Sequence, residues 1–149
     1  KAGSKQLRIG RYSQANGIYL VTFVTYQRIP WFQSHDLAEA ICRNIYSPSL
    51  LGDAENLCFV VMPDHVHLLL RIAVNPLHKV MNRLKSTSAI KLNSLIGRNG
   101  RFWDCGYHDH ALRKEEDLLR TARYIVANPV RAGLAKKVGD YSYWNAKWL

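Results

Sequence analysis

Two kinds of hydrophobic periodicity run along this chain, and together they predict a mixed fold of strands and helices. Runs rich in β-branched and aromatic residues are typical of strands, whereas apolar residues that recur every three or four positions are typical of helices. The strands predicted in this way cover residues 18–26, 56–62, 65–72 and 108–112. The predicted helices are 34–46, a long segment that opens at Asn75-Pro76 and ends at Gly97, and 115–127.

The resulting order of elements, βαββαβα, is that of an α+β, ferredoxin-like split βαβ fold with one extra C-terminal helix. It predicts a single domain over residues 1–149, with an antiparallel sheet, helices packed on one face of it, and strand 65–72 near its centre. Residues 62–65 are short enough for a tight hairpin, so the strands on either side should be antiparallel neighbours. A basic N-terminal arm, 1–17, and an aromatic tail, 136–149, flank this unit, and the tail should pack on the body or on a partner.

The strand 65–72 carries the most informative polar residues, because His65 and His67 stand two apart in an otherwise apolar run. Side chains at i and i+2 of a strand project from the same face, so both imidazoles should point at one spot. Neutral imidazole is a common ligand for divalent metals. The spacing alone leaves two interpretations open: a metal-binding pair, or two core histidines satisfied by hydrogen bonds.

The last predicted helix carries a second polar pair, Tyr124 and Asn128, which are four residues apart and therefore share a helix face. A tyrosine hydroxyl is a candidate nucleophile, and an amide oxygen is a hard, neutral ligand suited to Mg²⁺ or Mn²⁺. The alternative is structural: a packed helix tyrosine and a C-terminal cap. Pro129 is expected to end this helix by pushing the residue before it out of the α region.

The two pairs together indicate a sharper chemistry than either one alone. Two imidazoles and one amide would make an incomplete metal shell, with positions left for water or phosphate oxygens, and such a site can act as a Lewis acid on a phosphoryl group. Attack of the Tyr124 oxygen on a phosphodiester would give a phosphotyrosine link and a free 3′-hydroxyl. The metal and nearby arginines would offset the charge that builds on the phosphate.

The charge of the chain indicates the class of its partner. Its 149 residues include 21 Lys and Arg against 11 Asp and Glu, a net charge of +10. No acidic residue precedes Asp36, and the segment from Arg71 to Arg101 holds seven basic residues and no acidic one. Such a surface attracts polyanions, usually nucleic acid. An anionic membrane surface is the rival, but neither terminus has the amphipathic basic pattern that would favour it.

Cysteine usage and the lack of targeting signals predict the compartment. Cys42, Cys58 and Cys105 are far apart and odd in number, so they form no CxxC pair and no disulfide framework. The sequence shows no signal peptide and no apolar run long enough to span a membrane. A cytoplasmic protein without a membrane partner is therefore expected.

At this point the chain resembles a known family. The run Met-Pro-Asp-His-Val-His-Leu-Leu-Leu around His65 and His67 resembles the HUH motif (His, hydrophobic, His) of the single-tyrosine transposases. The run Tyr-Ile-Val-Ala-Asn-Pro-Val-Arg-Ala-Gly-Leu that begins at Tyr124 resembles their nucleophile helix. The chain is most similar to the REP-associated tyrosine transposases, a branch related to the IS200/IS605 transposases. The resemblance runs from Arg8 to Trp144, and both motifs in a βαββαβα chain are far more specific than HxH alone.

The resemblance implies a ferredoxin-like HUH nuclease that cuts and rejoins single-stranded DNA. Carried over by position, Tyr124 is the nucleophile that becomes linked to the 5′-phosphate, while His65, His67 and Asn128 hold Mg²⁺ or Mn²⁺. The implied targets are hairpin-forming palindromes, such as the repeated extragenic palindromes of bacterial genomes, so the protein should be associated with the bacterial nucleoid. The insertion-sequence enzymes work as dimers and the REP-associated branch can act as monomers, which leaves a monomer and a homodimer open.

DNA binding is expected to rest on basic and aromatic side chains around the site. Arginine pairs with phosphate in bidentate fashion and also reads guanine, and an exposed aromatic ring stacks on an unpaired base. Each arginine also has a plain interpretation as a solvated surface charge. The candidate DNA-binding residues are Arg8, Arg11, Arg83, Lys85, Arg101, Trp103, Arg113 and Arg123.

Several alternatives stay open from the sequence. His108 and His110 form a second HxH pair on a predicted strand and could be metal ligands or phosphate donors, although no amide or carboxylate follows them as Asn128 follows Tyr124. The protein could also be a hairpin DNA-binding protein of the same fold without transposition activity. A third hypothesis is an unrelated metal hydrolase in which the first histidine pair activates a water.

Overall fold

The computed structural model describes residues 17–113 and 115–147, which form one five-stranded sheet with helices packed against it. The strands are β1 (Ile18–Val24), β2 (Glu55–Met62), β3 (His65–Arg71), β4 (His108–Leu112) and β5 (Trp144–Ala146). The helices are α1 (His35–Tyr46), α2 (Pro48–Leu51), α3 (Leu77–Leu95), α4 (Glu115–Val126) and α5 (Asn128–Arg131). Short 3₁₀ turns lie at Tyr26–Arg28, Trp31–Gln33 and Val138–Asp140.

The sheet has the strand order β4-β1-β3-β2-β5, and every neighbouring pair is antiparallel. This is the split βαβ topology predicted from the order of elements, with β3 at the centre. Met62 pairs with His65, so the connection between β2 and β3 is the tight hairpin that the sequence indicated. The α+β fold class is therefore confirmed.

The helices cover both faces of the sheet, so the expectation that they share one face is wrong. Helices α1 and α3 pack on the face that carries Phe23 and Leu68. Helix α4 packs on the opposite face, where Ala122 and Ile125 meet Val60. The reason lies in β2, which is buried from Leu57 to Met62 without alternation and therefore needs an apolar cover on each side.

The ends of the helices follow local chemistry. Ser34 precedes α1 and its hydroxyl accepts a hydrogen bond from the backbone N–H of Leu37 at 3.4 Å, as expected of an N-cap. Pro129 does not end α4 as predicted, because α4 already stops at Val126 and Asn128, the residue before the proline, is the first residue of α5. The proline occupies the first turn of that short helix, where a missing backbone donor costs nothing.

The described part of the aromatic tail, residues 136–147, packs on the body and supplies the fifth strand. Strand β5 pairs with β2 at the edge of the sheet. The Tyr141 hydroxyl donates to the carbonyl oxygen of Val61 at 2.6 Å, and the Val61 N–H donates to the carbonyl oxygen of Tyr143 at 2.8 Å. The tail thus closes one edge of the sheet that would otherwise expose unpaired backbone groups.

No helix within the described residues has both the length and the apolar character that crossing a membrane requires.

Candidate active site

His65 and His67 lie on the same face of the central strand, as the alternation predicted. It is the face that α4 covers, because Leu69, two residues further along β3, belongs to the apolar cluster that includes Ala122. The two ring centroids are 4.9 Å apart and the ring planes are nearly perpendicular, at 80°. Both imidazoles therefore open onto one small region beneath the last helices.

Each imidazole is fixed by a hydrogen bond at its Nδ1 atom. The Nδ1 of His67 lies 2.8 Å from the Thr22 hydroxyl on the neighbouring strand β1. The Nδ1 of His65 lies 2.8 Å from a carboxylate oxygen of Asp64. If both Nδ1 atoms carry the proton and donate it, the lone pair of each ring stands on Nε2. That is the arrangement in which outer hydrogen bonds set the tautomer of metal-binding histidines.

The protonation of this region is set by burial and by its charged neighbours. Burial, followed by the nearby positive charges of His65 and Arg131, lowers the pKa of His67 to about 4. His67 is therefore neutral at pH 7, as a metal ligand must be. Partial burial alone would raise the pKa of Asp64, but hydrogen bonds from His65 and Arg28 hold it below its ordinary value.

The two histidines supply only part of the ligand set that a hard divalent cation needs. Within residues 17–113 and 115–147, no group of three His, Cys, Asp or Glu side chains is placed to hold a metal. A site here consequently needs a neutral oxygen ligand beside the two imidazoles. Asn128, the third predicted ligand, is half-buried at the start of α5, in the short segment between Tyr124 and Arg131.

Tyr124, the predicted nucleophile, is on the exposed side of α4, with 58% of its surface accessible. Helix positions Ala122 and Ile125 are buried against the sheet, which turns the tyrosine towards solvent. A packed core tyrosine, the structural alternative, is thereby excluded. More than half of the surface of this residue is therefore accessible to a large substrate.

Arg131 links the tyrosine to the histidine pair, and it is the site residue that sequence reasoning missed. Its guanidinium carbon lies 3.8 Å from the centroid of the Tyr124 ring, and one nitrogen donates to the Tyr124 carbonyl oxygen at 2.7 Å. The same positive charge helps to lower the pKa of His67. The signal was present in the sequence, since Arg131 belongs to the run that begins at Tyr124, but only folding shows that it reaches back by two turns.

The predicted DNA-binding residues divide into three groups. Arg8 and Arg11 lie outside the described residues. Arg113 and Arg123 are exposed, and the latter is the immediate neighbour of Tyr124. The Arg101 guanidinium lies 5.0 Å from the centroid of the Tyr26 ring, so it is held on an aromatic support.

Two other candidates, Lys85 and Arg83, already have structural contacts. The Lys85 ammonium donates to the carbonyl oxygens of Asp104 and Gly106, and so holds the loop that leads into β4. The exposed Arg83 on α3 lies against Gly52: a Cβ at that glycine would come 2.8 Å from the guanidinium. Both belong to the layer of α1 and α3, on the face of the sheet away from the histidine pair.

Trp103 is misassigned by the sequence analysis. Only 4% of its surface is accessible, it packs edge-on against Phe23 at 4.7 Å, and its indole N–H donates to the Ser88 hydroxyl at 3.0 Å. The ring is part of the hydrophobic core, so neither face can stack on a base. A basic segment looks the same in sequence whether its tryptophan is exposed or belongs to the core.

The second histidine pair lies on the same face of the sheet as the first, and within the described residues the two pairs do not form a group that could hold a metal. His108 pairs with Thr22, which pairs with His67, so the two histidines occupy one cross-strand row. They are separated by two strand spacings, about 10 Å between backbones. His108 and His110 are exposed on the edge strand β4 and face the solvent beside the candidate site.

Comparisons with known proteins agree with this architecture. The family model described as "Transposase IS200 like" matches residues 13–128, well over half of the chain. A curated protein of Haemophilus influenzae, named as a REP-associated tyrosine transposase, is 27% identical over 100 residues, which cover 60% of this chain and 57% of that protein. The chain thus spans little more than half the length of this relative.

Two solved structures share the fold. A REP-associated tyrosine transposase bound to a REP hairpin superposes with a TM-score of 0.74 at 20% identity, over 90% of this chain and 79% of the other. A transposase from Deinococcus radiodurans gives a TM-score of 0.53 at 24% identity, over 76% of this chain and 92% of the other. Since the family model spans both the histidine pair and the tyrosine helix, the chain belongs to the IS200-like transposase family, as its two motifs predicted.

Proposed function

We propose that this protein cuts and rejoins single-stranded DNA at hairpin-forming palindromes, through a covalent phosphotyrosine at Tyr124 and with Mg²⁺ or Mn²⁺ held by His65, His67 and Asn128. The observation that carries the proposal is the link between the two motifs. The histidine rings are fixed by hydrogen bonds at their Nδ1 atoms. Arg131 contacts the Tyr124 ring, and its positive charge contributes to the lowered pKa of His67. Family membership and a relative bound to a REP hairpin support DNA cleavage and the hairpin substrate.

In the proposed reaction, the Tyr124 oxygen forms a bond to phosphorus and the bond from phosphorus to the 3′ oxygen breaks. The phenol loses its proton and the departing 3′ oxygen gains one, so the products are a 5′-phosphotyrosine and a 3′-hydroxyl. Attack by another 3′-hydroxyl on this link reverses the step and rejoins DNA. When bound, the divalent metal would act as a Lewis acid on the phosphoryl oxygens.

The chain's own residues supply position and charge. Arg131 restrains the tyrosine ring and places a positive charge beside the phosphate that Tyr124 attacks, where it offsets the charge that develops during transfer. Thr22 and Asp64 fix the orientation of the two imidazoles, and the Asp64 carboxylate, which can only accept, also favours the Nδ1–H tautomer of His65.

The deciding experiment is a denaturing gel of the protein with 5′- or 3′-labelled hairpin DNA, in Mg²⁺ or Mn²⁺ and in chelator. We expect a metal-dependent shift of the fragment that carries the new 5′ end, which survives denaturant. Tyr124→Phe should abolish the shift while hairpin binding is retained. Tyr46→Phe is the matched control, because Tyr46 is similarly exposed, at 52% against 58% for Tyr124, and lies on α1.

Two other outcomes would contradict the proposal in different ways. Hairpin binding without any covalent species would indicate a DNA-binding protein of the same fold that does not transpose. Cleavage that persists in Tyr124→Phe would indicate a water-activating hydrolase and would refute the assignment of the nucleophile.

A further inference from the structure

We propose that Arg28 is a positioning residue for the metal site: it holds Asp64, and Asp64 in turn fixes the ring of His65. The inference rests on the proposed function, because it concerns the affinity of the His65–His67 pair for a divalent cation. Arg28 lies 36 residues before Asp64 and belongs to neither motif.

The first support is that one carboxylate bridges the arginine and the histidine. The Arg28 Nε–H donates to Oδ2 of Asp64 at 3.0 Å, while Oδ1 of Asp64 lies 2.8 Å from Nδ1 of His65. Each carboxylate oxygen thus has its own partner. The arginine prevents the carboxylate from rotating about its last bond, and the direction of the His65 ring depends on that rotation.

The second support is the backbone around Arg28. Gln27 and Arg28 have φ values of 59° and 56°, and both are non-glycine residues in the left-handed region. Such consecutive strained residues persist only where the surrounding structure imposes them, and they concentrate at functional sites. This turn directly follows β1, and its conformation directs the Arg28 side chain towards the hairpin that carries Asp64.

The third support is that the turn is tied to the same hairpin by backbone hydrogen bonds. The N–H of Thr25 donates to the carbonyl oxygen of Asp64 at 2.9 Å, and the Thr25 hydroxyl donates to it at 3.2 Å. The Phe32 N–H donates to the carbonyl oxygen of Pro63 at 2.9 Å. These bonds hold both ends of the arginine–carboxylate contact in a fixed frame, so the contact is more than a chance meeting of surface charges.

An exposed ion pair by itself contributes little to stability, and this one is exposed on its arginine side. The chain offers a direct comparison in Arg43, which donates to Glu39 at 2.7 Å one turn apart on α1. The exposed fractions of the two arginine side chains are nearly equal, 59% for Arg28 and 63% for Arg43. The two pairs differ in the second partner of the carboxylate, since only Asp64 also forms a hydrogen bond with a predicted metal ligand.

The test is the affinity of the full-length protein for Mn²⁺ without DNA, measured by titration calorimetry and by the EPR signal of free Mn²⁺. Loss of an outer hydrogen bond to a ligand typically weakens metal binding tenfold to a hundredfold, so we expect about threefold to tenfold for Arg28→Gln, one contact further out. Arg43→Gln should bind Mn²⁺ as wild type does. Arg28→Lys, which keeps the charge, should recover part of the loss.

Two further measurements separate positioning from a general effect on the fold. In an Asp64→Asn background, Arg28→Gln should cause no additional loss, because the link is already broken. In metal-free protein, ¹⁵N NMR should show His65 protonated at Nδ1 in wild type and a mixture of tautomers in Arg28→Gln. The melting temperature of Arg28→Gln should match that of Arg43→Gln.

The outcomes distinguish this inference from the proposed function. If His65→Ala removes Mn²⁺ binding but Arg28→Gln binds as tightly as wild type with an unchanged His65 tautomer, the positioning role is overturned and the metal site stands. If wild-type protein binds no Mn²⁺, the metal site itself fails and the role of Arg28 falls with it.

Discussion

At the scale of single residues, the candidate site is built from side chains whose outer polar atoms are already engaged. Thr22 holds one imidazole, Asp64 the other, and Arg131 the tyrosine. Such engagement leaves each functional atom with few orientations, which is how a site keeps its geometry on a chain of this size. The surroundings of the three cysteines likewise determine how each of them reacts.

The cysteines should differ sharply in reactivity. Burial raises the pKa of both Cys42 and Cys58 to about 12, whereas Cys105 is exposed in the loop before β4. Because the thiolate is the reactive form, a thiol reagent at pH 8 should modify Cys105 rapidly and the other two only after unfolding. Colorimetric titration should count one thiol in native protein and three in denaturant, and Cys105→Ser should remove the native reaction. Rapid modification of two or three thiols in native protein would contradict the packing around α1 and β2.

How far the sequence reaches at this scale depends on whether a contact is local. The common face of His65 and His67 follows from strand alternation, so it could be predicted. The contact of Arg28 with Asp64 joins segments that only the sheet brings together, and no local pattern encodes it. The assignment of Trp103 to DNA binding was wrong for a related reason. Its neighbours in the sequence are aromatic and basic, but the residues that surround it in the fold belong to the hydrophobic core.

At the scale of elements, periodicity predicted the features that depend on one segment alone, and it missed those that depend on contact between two segments. Strand β4 has its predicted bounds, and Ser34 caps α1 as expected. Strand β5 was not predicted, because three residues carry too little pattern and its existence depends on pairing with β2. The placement of α4 on the second face of the sheet was also missed. The amphipathic pattern of a helix shows which of its own sides is buried, but not which face of the sheet it packs on.

The contribution of one hydrogen bond to the packing of the aromatic tail on the sheet can be measured. Tyr141→Phe removes the hydroxyl that donates to the Val61 carbonyl and leaves a partly buried acceptor short of a partner. We expect the free energy of unfolding to fall by about 1–2 kcal/mol, the usual cost of such a loss. Urea unfolding followed by circular dichroism measures it, with Tyr124→Phe as the control that removes an exposed hydroxyl at no cost. Equal stability of the two variants would mean that this bond does not hold the tail on the sheet.

At the scale of the whole molecule, the chain has an excess of positive charge, and several of its acidic side chains are already engaged by partners within the protein. Glu39, Glu55 and Asp64 are each in an ion pair with arginine, and the Asp53 carboxylate accepts hydrogen bonds from the backbone of Val74 and Asn75. Within the described residues, no Lys or Arg side chain is buried and most of them are exposed. A surface of this kind favours binding that is driven by release of counterions from DNA.

The dependence of hairpin binding on salt follows from this distribution of charge. If about five phosphates are neutralised, the slope of log affinity against log salt should be roughly −3.5 to −4.5, between the single-strand and duplex values. Fluorescence anisotropy with a labelled hairpin, in chelator so that no cleavage occurs, measures that slope. Arg123→Gln, beside the tyrosine, should make it shallower by about 0.7–0.9, the contribution of one phosphate contact. Arg43→Gln, whose charge is already paired with Glu39, should leave it unchanged. A wild-type slope near −1 would instead mean that the basic residues serve mainly to solvate the protein, and that hairpin recognition depends on other contacts.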